Sequence, residues 1–360
     1  METTRKIEQR SLTPDVCRGI AIFLVIWGHV LQQGLNGVTD VAENVVFKII
    51  YSFHMPLFMI ISGFFFYRAQ ERKNLKELVL DKVWLLLRVI LIWNTVCYIL
   101  KMLLSFLQGN KEPVSVKGWF DEILLGYWFL WAVLFFTIAV GLVCKFFPRK
   151  MWFWGCLLFA PIMLISPCRW VMLSIYPFYL IGFFYNARIK EGKRSFVELK
   201  YVAICLFVVG LVLYLSHSPV GNSEIKGLLD VCICILRKEI GADALLVQGL
   251  RVSLYYFLGL TGSITVIVLA ELMVKKVSNA GIINQIAEVG KYSLQIYILQ
   301  RVIVELLSGK AYLRMVESVK DMPMLTNVFC FVISVICTAV IFIVVKYGFR
   351  GKIKNVLFGR

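Results

Sequence analysis

Residues 325–345 read LTNVFCFVISVICTAVIFIVV, a run of 21 residues without a charged side chain. A helix that crosses a membrane needs about 20 predominantly apolar residues, because the hydrocarbon layer is about 30 Å thick and each residue rises about 1.5 Å. Residues 325–345 meet this requirement of length and apolar composition by themselves. We therefore predict that it crosses a membrane as an α-helix.

The composition of the whole chain agrees with this local pattern. Hydrophobic residues make up 59% of the 360 residues and charged residues 17%, and the mean hydropathy is +0.78. Ordinary globular domains are about 45–50% apolar and about 25% charged. So few charges exclude soluble multidomain, disordered, coiled-coil and collagen-like classes. We expect a single membrane-embedded domain, an all-α polytopic helical bundle.

We read ten apolar stretches as membrane-spanning helices, of which the fifth, sixth and ninth are short. They lie near 19–37, 45–66, 83–105, 123–144, 151–166, 170–186, 201–216, 250–274, 292–307 and 325–345. The first 18 residues are polar, so we expect no cleavable signal peptide. In the longest connection, 217–249, the segment Ile225–Ile240 contains an apolar run too short to span, and we expect an interfacial or re-entrant helix there.

The distribution of basic residues predicts the orientation of the chain. With the N-terminus in the cytoplasm, the inner segments carry 25 of the 39 lysines and arginines, the outer loops 9 and the spans 5. Such an excess on one side is the pattern of cytoplasmic loops. Both termini are therefore predicted to be cytoplasmic. The net charge of +17 then requires no nucleic-acid partner.

The first span carries ionisable residues that are costly at bilayer depth and are therefore candidates for function. Arg18 and His29 are 11 residues apart, close to three helical turns, so they share one face and lie roughly 16 Å apart along the axis. Asp15, one turn before Arg18, either orients its guanidinium or forms an exposed helix-start pair worth little.

The second span runs back from outside and carries His54, Pro56 and, at its inner end, Arg68. His54 is predicted roughly 18 Å above the cytoplasmic face, at nearly the depth of His29. Gly28 and Gly63 are small enough to let helices approach closely there. The alternative for each histidine is a simple hydrogen bond to a neighbouring helix.

Other polar residues in the spans receive structural interpretations. Arg301 and Glu305 are four apart and are expected to pair with each other. Arg88 either snorkels to the cytoplasmic surface or faces an anionic ligand. The ten cysteines and three histidines match no zinc or redox spacing, so we expect no metal site and treat the cysteines as small core residues.

Several of these motifs together resemble the acyltransferase-3 family of bacterial membrane acyltransferases. The resemblance rests on Arg18-x10-His29, on Phe-His54-Met-Pro56-Leu-Phe with Ser62-Gly63, on Tyr127-Trp-Phe-Leu-Trp-Ala132 and on Tyr292-Ser-Leu-Gln-Ile-Tyr-Ile-Leu299. It extends over essentially the whole chain. The subgroup that it resembles most is the stand-alone sugar O-acetyltransferases similar to fucose 4-O-acetylase.

The resemblance implies transfer of an acyl group, usually acetyl from cytoplasmic acetyl-coenzyme A (acetyl-CoA), to a hydroxyl of a cell-surface glycan or its lipid-linked precursor. It implies a multi-pass protein of the bacterial cytoplasmic membrane, in contact with lipid, and marks Arg18 and His29 as functional. One position departs from the family pattern, because Gln300 stands where relatives often have histidine.

Acyl transfer from a thioester needs a base, stabilisation of the oxyanion and a site for the anionic donor. We assign His29 as the general base, and His54 either polarises the thioester carbonyl or orients the acceptor. Arg18 and Arg68 are assigned to the donor phosphates. The main alternative function is a transporter or flippase for a glycan or lipid-linked sugar, and a second is a non-catalytic membrane scaffold.

Overall fold

The computed structural model of the protein describes residues 12–35, 40–70, 74–109, 114–166, 168–190, 200–217, 242–276, 280–307, 316–319 and 322–358. All regular elements in these ranges are helical. The segment Ile225–Ile240, for which an interfacial or re-entrant helix is expected, lies outside the described residues.

Thirteen α-helices run through the described ranges. They are α1 (Thr13–Leu35), α2 (Val45–Gln70), α3 (Leu75–Leu107), α4 (Val116–Leu125), α5 (Trp128–Phe146), α6 (Trp152–Leu158), α7 (Arg169–Lys190), α8 (Lys200–His217), α9 (Ala242–Lys276), α10 (Ala280–Lys291), α11 (Ser293–Gln300), α12 (Pro323–Ile343) and α13 (Gly351–Phe358). A π-helical segment, Arg301–Leu307, continues α11.

Within the described ranges, seven helical stretches are long and apolar enough to cross a membrane: Thr13–Leu35, Val45–Gln70, Leu75–Leu107, Trp128–Phe146, Arg169–Arg188, Gly249–Lys275 and Pro323–Gly348. They coincide with seven of the ten predicted spans. The all-α polytopic membrane bundle predicted from the sequence is thereby confirmed, whereas the number of crossings and the sides of the termini stay predictions.

The other three predicted spans differ from single long helices. Residues 151–166 form the short helix α6 followed by a 3₁₀ segment, Ala160–Ile165, because Pro161 has no N–H with which to continue the α-helical ladder. Residues 201–216 correspond to a shorter apolar helix, Tyr201–Leu215. Residues 292–307 divide between α11 and the π-helical segment.

Helices α1 and α2, which carry the predicted site residues, form the interior of the bundle. Two thirds (67%) of the apolar window of each is buried, compared with 22% for Pro323–Gly348. Helix α2 packs mainly on α7 and α9, and α1 mainly on α10. The two central helices are therefore held on several sides, which fixes the positions of their polar side chains.

Glycines permit the closest of these approaches. Gly63 of α2 lies against the carbonyl of Tyr179, and Gly182 of α7 lies against the carbonyl of Ile60, so a Cβ at either position would collide with backbone. Gly63 was predicted to bring the histidine-bearing helices together, and it serves the α2–α7 contact instead. Gly28 does face α2, where it lies against the ring of Tyr51.

Candidate active site

His29 contacts a carboxylate that belongs to a helix far away in the sequence. Its Nδ1 atom lies 3.5 Å from Oε1 of Glu305, and the two side chains are 26% and 22% exposed. A carboxylate on one imidazole nitrogen fixes the tautomer and leaves the other nitrogen, Nε2, able to accept a proton.

Glu305 is held by the residues that precede it. Gln300 donates a hydrogen bond from Nε2 to the same oxygen, Oε1, at 3.1 Å, and Nε of Arg301 lies 3.8 Å from Oε2. All three residues lie at or beside the π-helical segment Arg301–Leu307. Segments of π-helix are rare and occur frequently at functional sites. Gln300 thus orients the partner of His29.

Arg301 finds its strongest partners on other helices. It donates to Oε1 of Glu122 at 2.6 Å and to Oδ1 of Asn94 at 3.0 Å, while Lys101 lies 2.6 Å from the second oxygen of Glu122. The predicted pairing of Arg301 with Glu305 exists only as the longer 3.8 Å contact. Because two cations face two carboxylates, the network has no net charge next to His29.

His54 is 5% exposed, and its Nδ1 atom lies 2.8 Å from the carbonyl oxygen of Ile50. A carbonyl oxygen can only accept, so Nδ1 carries the proton. In the neutral imidazole, Nε2 is then an acceptor. The ring of Tyr51 lies 4.6 Å from that of His54, and the same tyrosine packs on Gly28, next to His29. The structure therefore brings the two histidine neighbourhoods together through Tyr51.

Arg18 lines a cavity of about 260 Å³, here called the basic cavity. Two further cations, Lys82 and Lys291, line it as well. The guanidinium of Arg18 stacks on the ring of Phe65 at 3.4 Å and lies 3.8 Å from the buried carboxylate of Asp15. Three cations around one cavity suit an anionic ligand with several phosphates.

The basic cavity extends toward the histidines. Its lining includes Phe58, which follows His54 by one turn of α2, and Tyr297, whose ring lies 5.3 Å from that of Phe129. Beyond the three cations, the polar side chains of its wall come from α2 and α11. Along α2 the lining thus runs from Phe65, beside Arg18, to Phe58, one turn from His54.

Arg68 lies elsewhere. It lines a second cavity of about 380 Å³, with Glu271 and Lys275 among the lining residues. Its guanidinium lies 5.3 Å from the ring of Phe64, while Arg18 stacks on the next residue, Phe65. The structure thus brings together Arg18 and Asp15, whereas Arg68 lines the second cavity, next to Thr13, Pro14 and Cys17 of the same helix α1.

Several residues of the site were not singled out by sequence reasoning. Glu122, Asn94, Lys82, Lys291 and Gln295 come from four helices, and no spacing along the chain predicts which helices are neighbours. The available signal was the cost of an ionisable group at bilayer depth, which did flag Arg301 and Glu305. Among the residues that the structure describes, no group of three or more potential metal ligands occurs.

Comparison with known proteins identifies the family and the relatives that the chain resembles. A family model described as an acyltransferase domain matches residues 12–345. The nodulation protein NolL of Mesorhizobium japonicum is 33% identical over 214 residues, which is 56% of each chain. NolL of Sinorhizobium fredii is 32% identical over 199 residues, 53% of each chain. The chain thus matches about half the length of these curated relatives, and no solved structure matches it. Since the family model covers nearly all of the chain, the protein belongs to the acyltransferase-3 family.

Proposed function

We propose that the protein is a bacterial membrane O-acyltransferase. It moves an acyl group, acetyl in the simplest case, from cytoplasmic acetyl-CoA to a hydroxyl of a cell-surface glycan or its lipid-linked precursor. Family membership supports acyl transfer. The observation that carries the proposal is the contact between Nδ1 of His29 and Glu305, beside a charge-balanced network and above a cation-lined cavity.

In this proposal His29 is the general base. Nε2 takes the proton of the acceptor hydroxyl while the hydroxyl oxygen attacks the thioester carbon. The C–S bond of the resulting tetrahedral intermediate breaks, and the proton passes from His29 to the departing thiolate. General acid–base catalysis of this kind contributes about 10²–10⁴-fold.

Glu305 assists by favouring the charged imidazolium that forms in this step. The neutral network of Lys101, Glu122, Arg301 and Glu305 adds no fixed positive charge that would oppose protonation of His29. A carboxylate that orients and stabilises a catalytic histidine is the arrangement of the serine-protease triad. Here the hydroxyl that it activates belongs to the acceptor, and we propose direct transfer.

His54 suits the orientation of the acceptor better than polarisation of the thioester. Polarising a carbonyl requires a donor, whereas the free Nε2 of His54 is an acceptor when Nδ1 donates to Ile50. We therefore assign Nε2 of His54 to a hydroxyl of the acceptor.

The donor phosphates are assigned to the basic cavity. Arg18, Lys82 and Lys291 supply positive charge, and Asp15 limits the orientations of the Arg18 guanidinium. Arg18 lies roughly 16 Å below His29 along α1. When the phosphates are held at Arg18, the rest of the donor extends toward His29 and brings the thioester to the base. Arg68, in the second cavity, is not assigned to these phosphates.

The proposal is tested with membranes that contain the protein, supplied with acetyl-CoA labelled in the acetyl group. We expect release of free CoA and transfer of the label to a glycan, with mass spectrometry of the surface glycan locating the ester. Membranes that lack the protein are the control. Movement of a glycan across the membrane without thioester cleavage would contradict the proposal and favour the transporter.

A further inference from the structure

Gln295 is a buried amide in the wall of the basic cavity. It belongs to α11, is 2% exposed and lines the cavity together with the three cations. Its side-chain carbonyl oxygen has no hydrogen-bond partner among the described residues. A buried acceptor without a partner costs free energy, so a ligand that supplies an N–H or O–H is stabilised there.

Two observations place Gln295 between the level of the cations and the level of the base. Arg18 and Lys291 line the same cavity, and His29 contacts Glu305. The chain from Lys291 to Glu305 thus rises alongside α1 from the cations to the base. Gln295 comes four residues after Lys291 and ten before Glu305, above the cations and below the base.

This order matches the order of groups in one class of donor. In an acyl-CoA, an arm with two secondary amides separates the phosphates from the thioester. Each secondary amide carries an N–H, which is the group that an unpaired carbonyl oxygen requires. Along the site, the cations are followed by a neutral hydrogen-bond acceptor and then by the base. The phosphates, the amides and the thioester follow one another in the same order along the donor.

We propose that the side-chain oxygen of Gln295 accepts a hydrogen bond from an amide N–H of the pantetheine arm of the donor. This assignment rests on the proposed function for the identity of the donor. Gln295 is then a donor-positioning residue, which holds the arm so that the thioester lies at the level of His29. A donor without such an arm, such as an acyl phosphate, would leave the amide unpaired.

The test compares two ligands in equilibrium binding to the full-length protein in detergent or nanodiscs. CoA carries the phosphates and the arm, whereas adenosine 3′,5′-bisphosphate carries phosphates without the arm. We expect Gln295→Met, which keeps the volume and removes the amide, to weaken CoA about fivefold and to leave the bisphosphate unchanged. Arg18→Gln is expected to weaken both ligands.

The control variant is Thr265→Val. It removes a hydroxyl that, like the Gln295 oxygen, is buried without a partner among the described residues, and that lies on α9 outside the lining of both cavities. It should change neither affinity. Equal effects of Gln295→Met on the two ligands, or no effect on either, would overturn the assignment. If the Met variant does not fold, Gln295→Asn, which withdraws the amide by one methylene, is measured by the same criterion.

Failure of this assignment is distinguishable from failure of the proposed function. A wild-type protein that transfers acetyl from acetyl-CoA, with a Gln295 variant that binds CoA normally, contradicts only the assignment. A wild-type protein that binds CoA with the expected pattern and transfers no acetyl group contradicts the proposed function.

Discussion

Glu305 is the residue that gives His29 a partner, and it lies 276 positions further along the chain. If it stabilises the imidazolium formed during transfer, Glu305→Gln should lower kcat about 100-fold and leave the affinity for CoA unchanged. Steady-state kinetics and equilibrium binding measure the two effects separately. The matched control is Glu271→Gln, which removes a carboxylate paired with Lys275 instead. A normal kcat in Glu305→Gln would refute this role.

Arg301 is expected to act on stability. It is 12% exposed and Glu122 is 9% exposed, so removal of the arginine leaves a nearly buried carboxylate with less compensation. Arg301→Met should cost about 3–5 kcal/mol of unfolding free energy, measured by denaturant titration in micelles. Adding Glu122→Gln should restore part of the loss.

The exposed pair of Lys275 and Glu271 provides the comparison for Arg301. The lysine is 63% exposed, so Lys275→Ala should change the unfolding free energy by less than about 1 kcal/mol. If Arg301→Met were no more destabilising than Lys275→Ala, the contacts of Arg301 with Glu122 and Asn94 would not contribute to stability as predicted.

At the scale of helices, the contact of α2 with α7 fixes the height and rotation of the helix that carries His54. Gly63→Ala would place a Cβ against the carbonyl of Tyr179, and we expect a loss of about 1–3 kcal/mol of unfolding free energy. Gly281→Ala is the control, since a Cβ there meets no neighbour within 4 Å. Equal stability of the two variants would contradict the close packing of α2 on α7.

The sequence predicted the apolar helices well because each needs only its own residues to satisfy length and hydropathy. Residues 45–66, for example, lie within α2. Residues 151–166 show the limit, since apolar composition alone does not reveal that Pro161 divides the stretch. The helix α10, which lies between two of the predicted spans, packs on α1 where Gly290 lies against the backbone of Asp15.

The candidate site was predictable only in part for the same reason. The three-turn spacing of Arg18 and His29 is a property of one helix and can be taken from the sequence. The approach of Glu305 to His29, and of Lys82 and Lys291 to Arg18, depends on which helices are neighbours. Arg301 and Glu305 were matched to each other because a spacing of four residues is visible along the chain. The pairing of Arg301 with Glu122 joins residues far apart in the sequence, so no spacing along the chain indicates it.

For the whole molecule, the distribution of basic residues predicts that both termini are cytoplasmic. A fluorescent protein fused after Arg360 should therefore fluoresce in bacterial cells, and alkaline phosphatase fused at the same point should be inactive. A reporter inserted at Val114, in the predicted outer loop between α3 and α4, should behave in the opposite way. Active phosphatase at the C-terminus would contradict this orientation.

The central claim is that His29, oriented by Glu305, is the base for acyl transfer. The most direct measurement is the rate of acetyl transfer from acetyl-CoA by His29→Ala, compared with wild type and with Thr338→Val, which removes a hydroxyl that donates to the carbonyl of Ser334 within α12. We predict a loss of about 10²–10⁴-fold for His29→Ala with CoA binding retained, and a normal rate for Thr338→Val. A folded His29→Ala protein that transfers acetyl at nearly the wild-type rate would contradict the account.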